Sequence, residues 1–476
     1  MKRTPHRGYL MLLAIAFGAV FLTVFGGMTF FVLSENKLQS QNTLSTEAFA
    51  LAEAGLEYYR WHLAHFPDDL QNGTGVPGPY VMDYDDPEGG LAGTITLDIL
   101  NNTSCNQSNS IDIESTGASA SAPGVTRTVS ARYARPSVGL YSYIVNDSLW
   151  AGADRVISGP FHTNGGIRMD GTSNSTVSSS LSTWNCTSTY GCIPDNPTAP
   201  GVTGTGVDQA LWEYPVPQVD FAAIAADFGS LKTIAEASGT YLERYSTTNG
   251  QGDPAYWRGY HLTFNADGTV TVKQVSSTRQ NSVTPVNSAD GNTDRIEIQN
   301  ESQTEITLIP PDCGLIFVED NVWIDGIVDG KITLVAANVE NANITPNVYV
   351  QSDVVYENTD GSDGLTVIAA RNVLISPQAP ESMTLNGIFI AQGGAFGMNA
   401  YSCNSGFATK SGTLTILGTT VSNKRTGTKW TSTCSNGLYK GYQTRIDSFD
   451  RRNATDPPAF TPVVSQDYEF IDWKEE

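Results

Sequence analysis

From Tyr9 to Leu33 the chain carries no charged side chain, in "YLMLLAIAFGAVFLTVFGGMTFFVL", and nothing else in its 476 residues constrains the fold as strongly. As a helix at 1.5 Å per residue the segment is roughly 37 Å long, enough to cross the hydrocarbon core of a bilayer with some tilt. A secretory signal would have a shorter apolar run and a small-x-small cleavage site after it, whereas "SENKLQSQ" follows here. Lys2, Arg3 and Arg7 precede the span and Glu35 is the first charge beyond it. The positive-inside rule therefore keeps the N-terminus cytoplasmic and exports the rest.

Beyond the span, "NTLSTEAFALAEAGLEYYRWHLAH" is rich in Ala, Leu and Glu, with Phe49, Ala52, Leu56 and Tyr59 at three- and four-residue spacing. This predicts one continuous helix to about His65, ended by Pro67, with an amphipathic outer half. A short basic leader ending in Gly8, an uncharged span from Tyr9 and then "AFALAEAGLEYYR" resemble the N-terminus of type IV pilin-like proteins, specifically PilX-type minor pilins. The resemblance extends to about His65. It implies cleavage between Gly8 and Tyr9 by a prepilin peptidase, and a mature helix that packs among other pilins in a pilus or pseudopilus. Major pilins carry a Glu at the fifth mature position, where it neutralises a neighbour's terminal amine; here that position is Leu13. An amine buried without that partner costs several kcal/mol, so a low-copy or tip subunit is implied, with an uncleaved membrane anchor as the alternative. Gly18, Gly26 and Gly27 interrupt the span. They suit close helix packing in lipid or, alternatively, local unwinding on leaving it.

The remainder is polar and β-prone. Net charge is −22, from 49 acidic against 27 basic residues, with no cluster of Lys and Arg, which argues against nucleic acid or an anionic lipid surface as partner. From Val81 to Arg135, "GTITLDIL", "NSIDIEST" and "TRTVSARYA" alternate and are separated by turn residues, predicting a small antiparallel sheet that buries the outer stripe of the helix. Later segments such as "GLIFVEDNVWIDG", "KITLVAANVE", "GLTVIAARNVLIS" and "LNGIFIAQGG" are short apolar units closed by Gly or Asn, without a strict period. Stacked, they make a β-solenoid; a β-sandwich uses the same strands, and spacing does not separate the two. Between Val202 and Pro310 the pattern lapses into a helix from Asp220, with Asp220 as N-cap, and a hairpin turning at "NADG".

The expected class is thus α+β and mainly β, in these parts: leader 1–8, transmembrane and amphipathic helix 9–66, pilin-like antiparallel sheet 67–136, first part of the solenoid 137–201, inserted lobe 202–310, main solenoid 311–424 and an irregular tail 425–476. Six cysteines, none in a Cys-x-x-Cys pair, give Cys186–Cys192 and Cys403–Cys434 as disulfide candidates, and Cys105–Cys313 by elimination, if the head is outside the cytoplasm. Six free thiols in a reducing compartment are the alternative.

For chemistry, Asp83, Asp85, Asp86 and Glu88 in "DYDDPEGG" offer oxygen ligands for a loose Ca²⁺ site, though the spacing is not an EF-hand and a solvated acidic turn accounts for them equally. "ENTDGSDG", with Asp360 and Asp363, is a lesser version of the same idea. No other cofactor is expected. His162 could serve as a base beside Asp170, but a recurrent carboxylate pair, a phosphate loop and a nucleophile elbow are all missing. Trp150, Trp184, Trp212, Trp257, Trp323 and Trp430 lie in turn-rich text, where they could anchor a peptide, stack on a carbohydrate or plug irregular solenoid ends. The expectation is a non-enzymatic subunit anchored in the inner membrane by a single pass, its head outside or on the pilus for assembly priming or surface adhesion. The alternatives are an uncleaved cell-surface solenoid and a tethered carbohydrate-active enzyme.

Overall fold

The computed structural model describes residues 7–67, 69–105, 107–245, 257–279, 296–311, 313–465 and 468–475. Lys2 and Arg3 of the leader and two stretches of the inserted lobe lie outside them. A long N-terminal helix is followed by a β-rich body, and the chain divides into two compact units. The first comprises the chain up to Asn101, Ile111–Tyr133 and the residues from Asp472; the second comprises Asn102–Ser110 and Ala134–Ile471.

In the first unit, helix α1 (Arg7–His65) ends where Pro67 was expected to end it. Strands β1 (Tyr80–Asp85), β2 (Leu91–Ser104), β3 (Gln107–Ser119) and β4 (Thr126–Ala134) form one sheet in that order, with Glu469–Glu475 beyond β4. Alternate residues Ile95, Leu97, Ile111, Ile113, Val129 and Ala131 are buried. The helix contributes Ala48, Leu51, Ala52, Leu56, Tyr59 and Leu63, a single face at helical spacing. Burial on this scale is worth about 1.5–3 kcal/mol for each large side chain. Backbones meet closely: a Cβ at Gly117 would lie 2.1 Å from the Ala48 carbonyl oxygen, and one at Gly55 would lie 2.2 Å from Ser115 Oγ. Phe49, expected in the stripe, is half-buried instead and meets the Trp473 ring edge-to-face at 6.3 Å.

The second unit is built of parallel ladders. In the longest, Thr240–Leu242, Leu315–Val318, Lys331–Ala336, Gly364–Ala369, Met383–Ala391, Thr409–Ser422, Tyr143–Val145, Phe161–Thr163, Val177–Ser179 and Trp212–Glu213 pair in parallel, each with the next. Another joins Gly259–Phe264, Asn321–Val328, Val348–Tyr356, Val373–Ile375 and Phe396–Gly397. A further ladder carries Val348–Tyr356 through Met383–Ala391 and Thr409–Ser422 to Tyr439–Ser448, Arg155–Ser158 and Thr172–Ser173.

Strands of the longest ladder are buried on both faces. Ile316, Val318, Leu334, Val367 and Phe389 enter one apolar cluster. Their neighbours Phe317, Val335, Ile368 and Ile388 enter another, shared with Leu231 and Ala235 of helix α2 (Phe228–Ser238). Double burial is why "LIFV", "ITLVA" and "LTVIA" read as unbroken apolar runs rather than alternating ones.

Parts of this layout differ from expectation. Helix α2 starts after Asp227, whose carboxylate accepts from Gly229 N and Ser230 N, and not after Asp220. Asp220 caps a single turn instead, and the chain then leaves helical bonding because the Gln392 side chain takes both the N–H and the carbonyl of Ala226. Thr240–Leu242 and Gly259–Phe264, expected in a decorating lobe, are ladder strands, with the hairpin partner Val270–Thr278 running antiparallel as "NADG" suggested. The expected irregular tail contains the strands Lys429–Thr433 and Tyr439–Ser448 and the short helix α3 (Arg451–Thr455). Its text is too polar to read as strand, but pairing between Thr409–Ser422 and Arg155–Ser158 supplies the order that hydrophobicity does not.

A period also exists where none was expected. Asn321, Asn347 and Asn372 are buried and stacked: Asn347 N donates to Asn321 Oδ1, Asn372 Nδ2 to Asn347 Oδ1 and Ala395 N to Asn372 Oδ1, each at 2.9 Å. They open "NVW", "NVY" and "NVL", spaced by 26 and 25 residues.

Candidate functional site

The first half of α1 is exposed throughout. Tyr9 is 77% and Leu13 49% exposed, and an 18-residue window of the helix reaches a mean hydropathy of 2.3 with none of it buried. Its threonine hydroxyls are satisfied within the helix, Thr23 Oγ1 donating to Val20 O and Thr29 Oγ1 to Phe25 O, as an apolar surrounding requires. Gly8, Tyr9 and Leu13 sit in regular helix. Gly18, Gly26 and Gly27 each cost a helix roughly 1 kcal/mol relative to Ala, yet a Cβ at any of them would meet nothing within 4 Å. Unlike Gly55, they have no packing reason within the described residues.

In the second unit, a cleft of about 680 Å³ opens where Tyr439–Ser448 pairs with Arg155–Ser158. Its wall carries Trp150, Arg425, Lys429, Trp430, Tyr439 and Arg445 around Asp154. Asp154 accepts from Arg445 Nε and Nη2 at 3.0 and 3.1 Å and lies 3.3 Å from Lys429 Nζ. Arg155 is committed to buried Asp447 at 2.6 Å and stacks 4.3 Å from the Tyr143 ring. One carboxylate therefore serves two cations. Burial pushes the Lys429 ammonium down, and burial together with neighbouring Arg155 pushes the Arg445 guanidinium down. Burial disfavours the Asp154 charge, but Arg445 and Lys429 hold its carboxyl below the usual range. Cations also sit on aromatic rings here: Lys429 lies 4.8 Å from Tyr439, Arg425 4.5 Å from Tyr190 and Arg168 4.9 Å from Trp150. The buried indole nitrogen of Trp430 has no acceptor among the described residues.

The other candidate residues are dispersed. Asp83 and Asp85 lie on β1, while Asp86 accepts from Glu88 N in the following turn. Among the described residues no group of three or more His, Cys, Asp or Glu is arranged to hold a metal ion. Asp363 caps Gly330 N, and Asp360 bonds Ser362. His162 is buried between Ser178 Oγ and Asn164 Oδ1, each at 3.0 Å, and burial pushes its imidazole down. Asp170 is engaged by Trp150 Nε1, Arg168 Nε and Thr205 instead, so the two do not form a catalytic pair. The cysteines pair as Cys105–Cys313, Cys186–Cys192 and Cys403–Cys434, with Cα atoms 5.1, 5.7 and 5.4 Å apart. Of the tryptophans, Trp184, Trp257 and Trp323 are core residues, whereas Trp150 and Trp430 share the cleft. Sequence reasoning missed that cleft because its walls are far apart in the chain. The linear hints were Trp150 and Trp430 themselves and the local run of cations that leads into the latter, "KRTGTKW".

No family model matches the chain, and no curated protein does. Among solved structures it is similar to the competence-associated pilin ComZ from Thermus thermophilus, with 12% identity, 91% of this chain and 98% of that chain covered, and a TM-score of 0.31, too low to carry an argument.

Proposed function

We propose that the protein is a non-enzymatic, PilX-like minor pilin or pseudopilin, processed between Gly8 and Tyr9 by a prepilin peptidase and held by α1 first in the inner membrane and then among other pilins. The observation that carries this is one unbroken helix with two different halves. Its outer half is packed backbone-close on an antiparallel sheet, and its apolar first half is left open. The glycines at 18, 26 and 27 suit close approach of a neighbouring helix. Leu13 in place of a carboxylate favours a tip or low-copy position. The head, displayed outside the membrane, is read as a β-solenoid whose successive coils are the rungs of the parallel ladders, with the asparagine row inside one corner.

The test is mass spectrometry of the N-terminus after expression with and without a prepilin peptidase. The expected product begins at Tyr9 only when the peptidase is present. A chain retaining Met1 in both cases overturns the pilin reading and leaves the second one, an uncleaved surface anchor, which Leu13 favours because an apolar residue there suits permanent residence in lipid.

A further inference from the structure

We infer that the cleft between Trp150 and Trp430 is a binding site for a short acidic saccharide. The inference rests on the proposed display of the head only in that the cleft must face the outside. Its charge is the first ground. On a chain with 49 acidic and 27 basic residues, the cleft wall carries Arg425, Lys429 and Arg445, of which Lys429 and Arg445 share the carboxylate of Asp154 and Arg425 donates to Thr189 O. Of the other nearby acids, Asp447 is buried and taken by Arg155, Asp170 is taken by Arg168 and the Trp150 indole, and Asp147 accepts from the Arg425 backbone N–H at 3.2 Å. A second anion is what this arrangement lacks, and one carried by a ligand would supply it where burial has already removed competing water.

Its aromatic wall is the second ground. Trp150, Trp430 and Tyr439 line the cleft; Arg168 and Lys429 lie over one face of the Trp150 and Tyr439 rings, and Tyr439, 43% exposed, keeps ring surface of the kind on which pyranose rings stack. The Trp430 indole N–H, buried without an acceptor, marks a donor that the fold itself does not use. Size is the third ground: about 680 Å³ is within the range of small-ligand sites of ~300–1,000 Å³ and holds a short oligosaccharide segment. A nucleic acid fits less well. Its affinity comes from a continuous cationic track, which a local group of three cations does not supply.

The experiment is calorimetric titration of the full chain in detergent with tetragalacturonate, a heparin-derived tetrasaccharide, neutral cellotetraose and octathymidylate. At least one acidic saccharide is expected to bind about tenfold or more tighter than cellotetraose, and the carboxylated and sulfated arms identify the acidic group. The double variant Arg425→Gln/Lys429→Gln is expected to lose about tenfold or more of that affinity with an unchanged melting temperature. If the double variant does not fold, Arg425→Gln alone, at the half-buried rim, is read the same way. Binding of neither acidic probe, equal binding of cellotetraose, wild-type affinity in a folded variant or tightest binding of octathymidylate each overturns the inference. None of these readings depends on processing at Gly8, so failure of the pilin reading is separately visible.

Discussion

Asn347 shows how much a single side chain holds in place. It is fully buried, its Oδ1 accepts from Asn372 N and Nδ2, and its Nδ2 donates to the Tyr349 hydroxyl at 3.1 Å and to Asn321 Oδ1 at 3.4 Å. Asn347→Ala leaves several buried polar groups unpaired and is expected to cost about 3 kcal/mol in chemical denaturation; a loss under about 1 kcal/mol would mean that the row is incidental. This feature was legible: "NVW", "NVY" and "NVL" stand in the sequence at near-equal spacing. The ion pair of Arg155 with Asp447, 292 residues away, was not legible, because nothing local to either residue points to the other. The cleft is opaque for the same reason.

Among elements, α1 was readable to its last residue because helix pattern, Pro67 and packing face agree, whereas α2 was misplaced because a distant Gln392 decides where its first turn can form. The hairpin Gly259–Phe264/Val270–Thr278 carries a pH-dependent fastening. His261 lies 2.9 Å from Glu301 and 3.1 Å from Asp325, with Lys273 and Glu305 alongside. Burial opposes its charge, but Asp325 and then Glu301 raise its pKa above the usual histidine value, while His261 and Lys273 hold Glu301 low against its own burial. The histidine's contribution is therefore complete below the ordinary histidine pKa and is lost as pH rises through the raised value. That of Glu301 is present above the ordinary glutamate pKa and is lost as pH falls through the lowered one. Going from pH 6 to pH 9 should lower the amide protection factors of the hairpin, taken relative to the base-catalysed intrinsic exchange rate at each pH, in the wild type and change them much less in His261→Gln. An equal loss of protection in both would rule the fastening out.

At the scale of the whole molecule, Cys105–Cys313 ties the tip of the β2–β3 hairpin to a residue 208 positions on, while Cys186–Cys192 spans only 6. Chain entropy assigns the long closure about 5 kcal/mol and the short one about 2 kcal/mol. Melting of Cys105→Ser/Cys313→Ser should therefore fall well below that of Cys186→Ser/Cys192→Ser, and matching drops would refute the ranking. The order of strands in the ladders has a different consequence. Tyr143–Val145 emerges early from the ribosome, yet its parallel neighbour Thr420–Ser422 comes near the end. The strands up to Trp212–Glu213 must wait, with one rung open to water, until the chain has travelled to the far end of the stack at Thr240–Leu242 and returned. A chain ordered in this way cannot complete the ladder until late in its synthesis, and the strand Thr409–Ser422 is the piece that closes the middle.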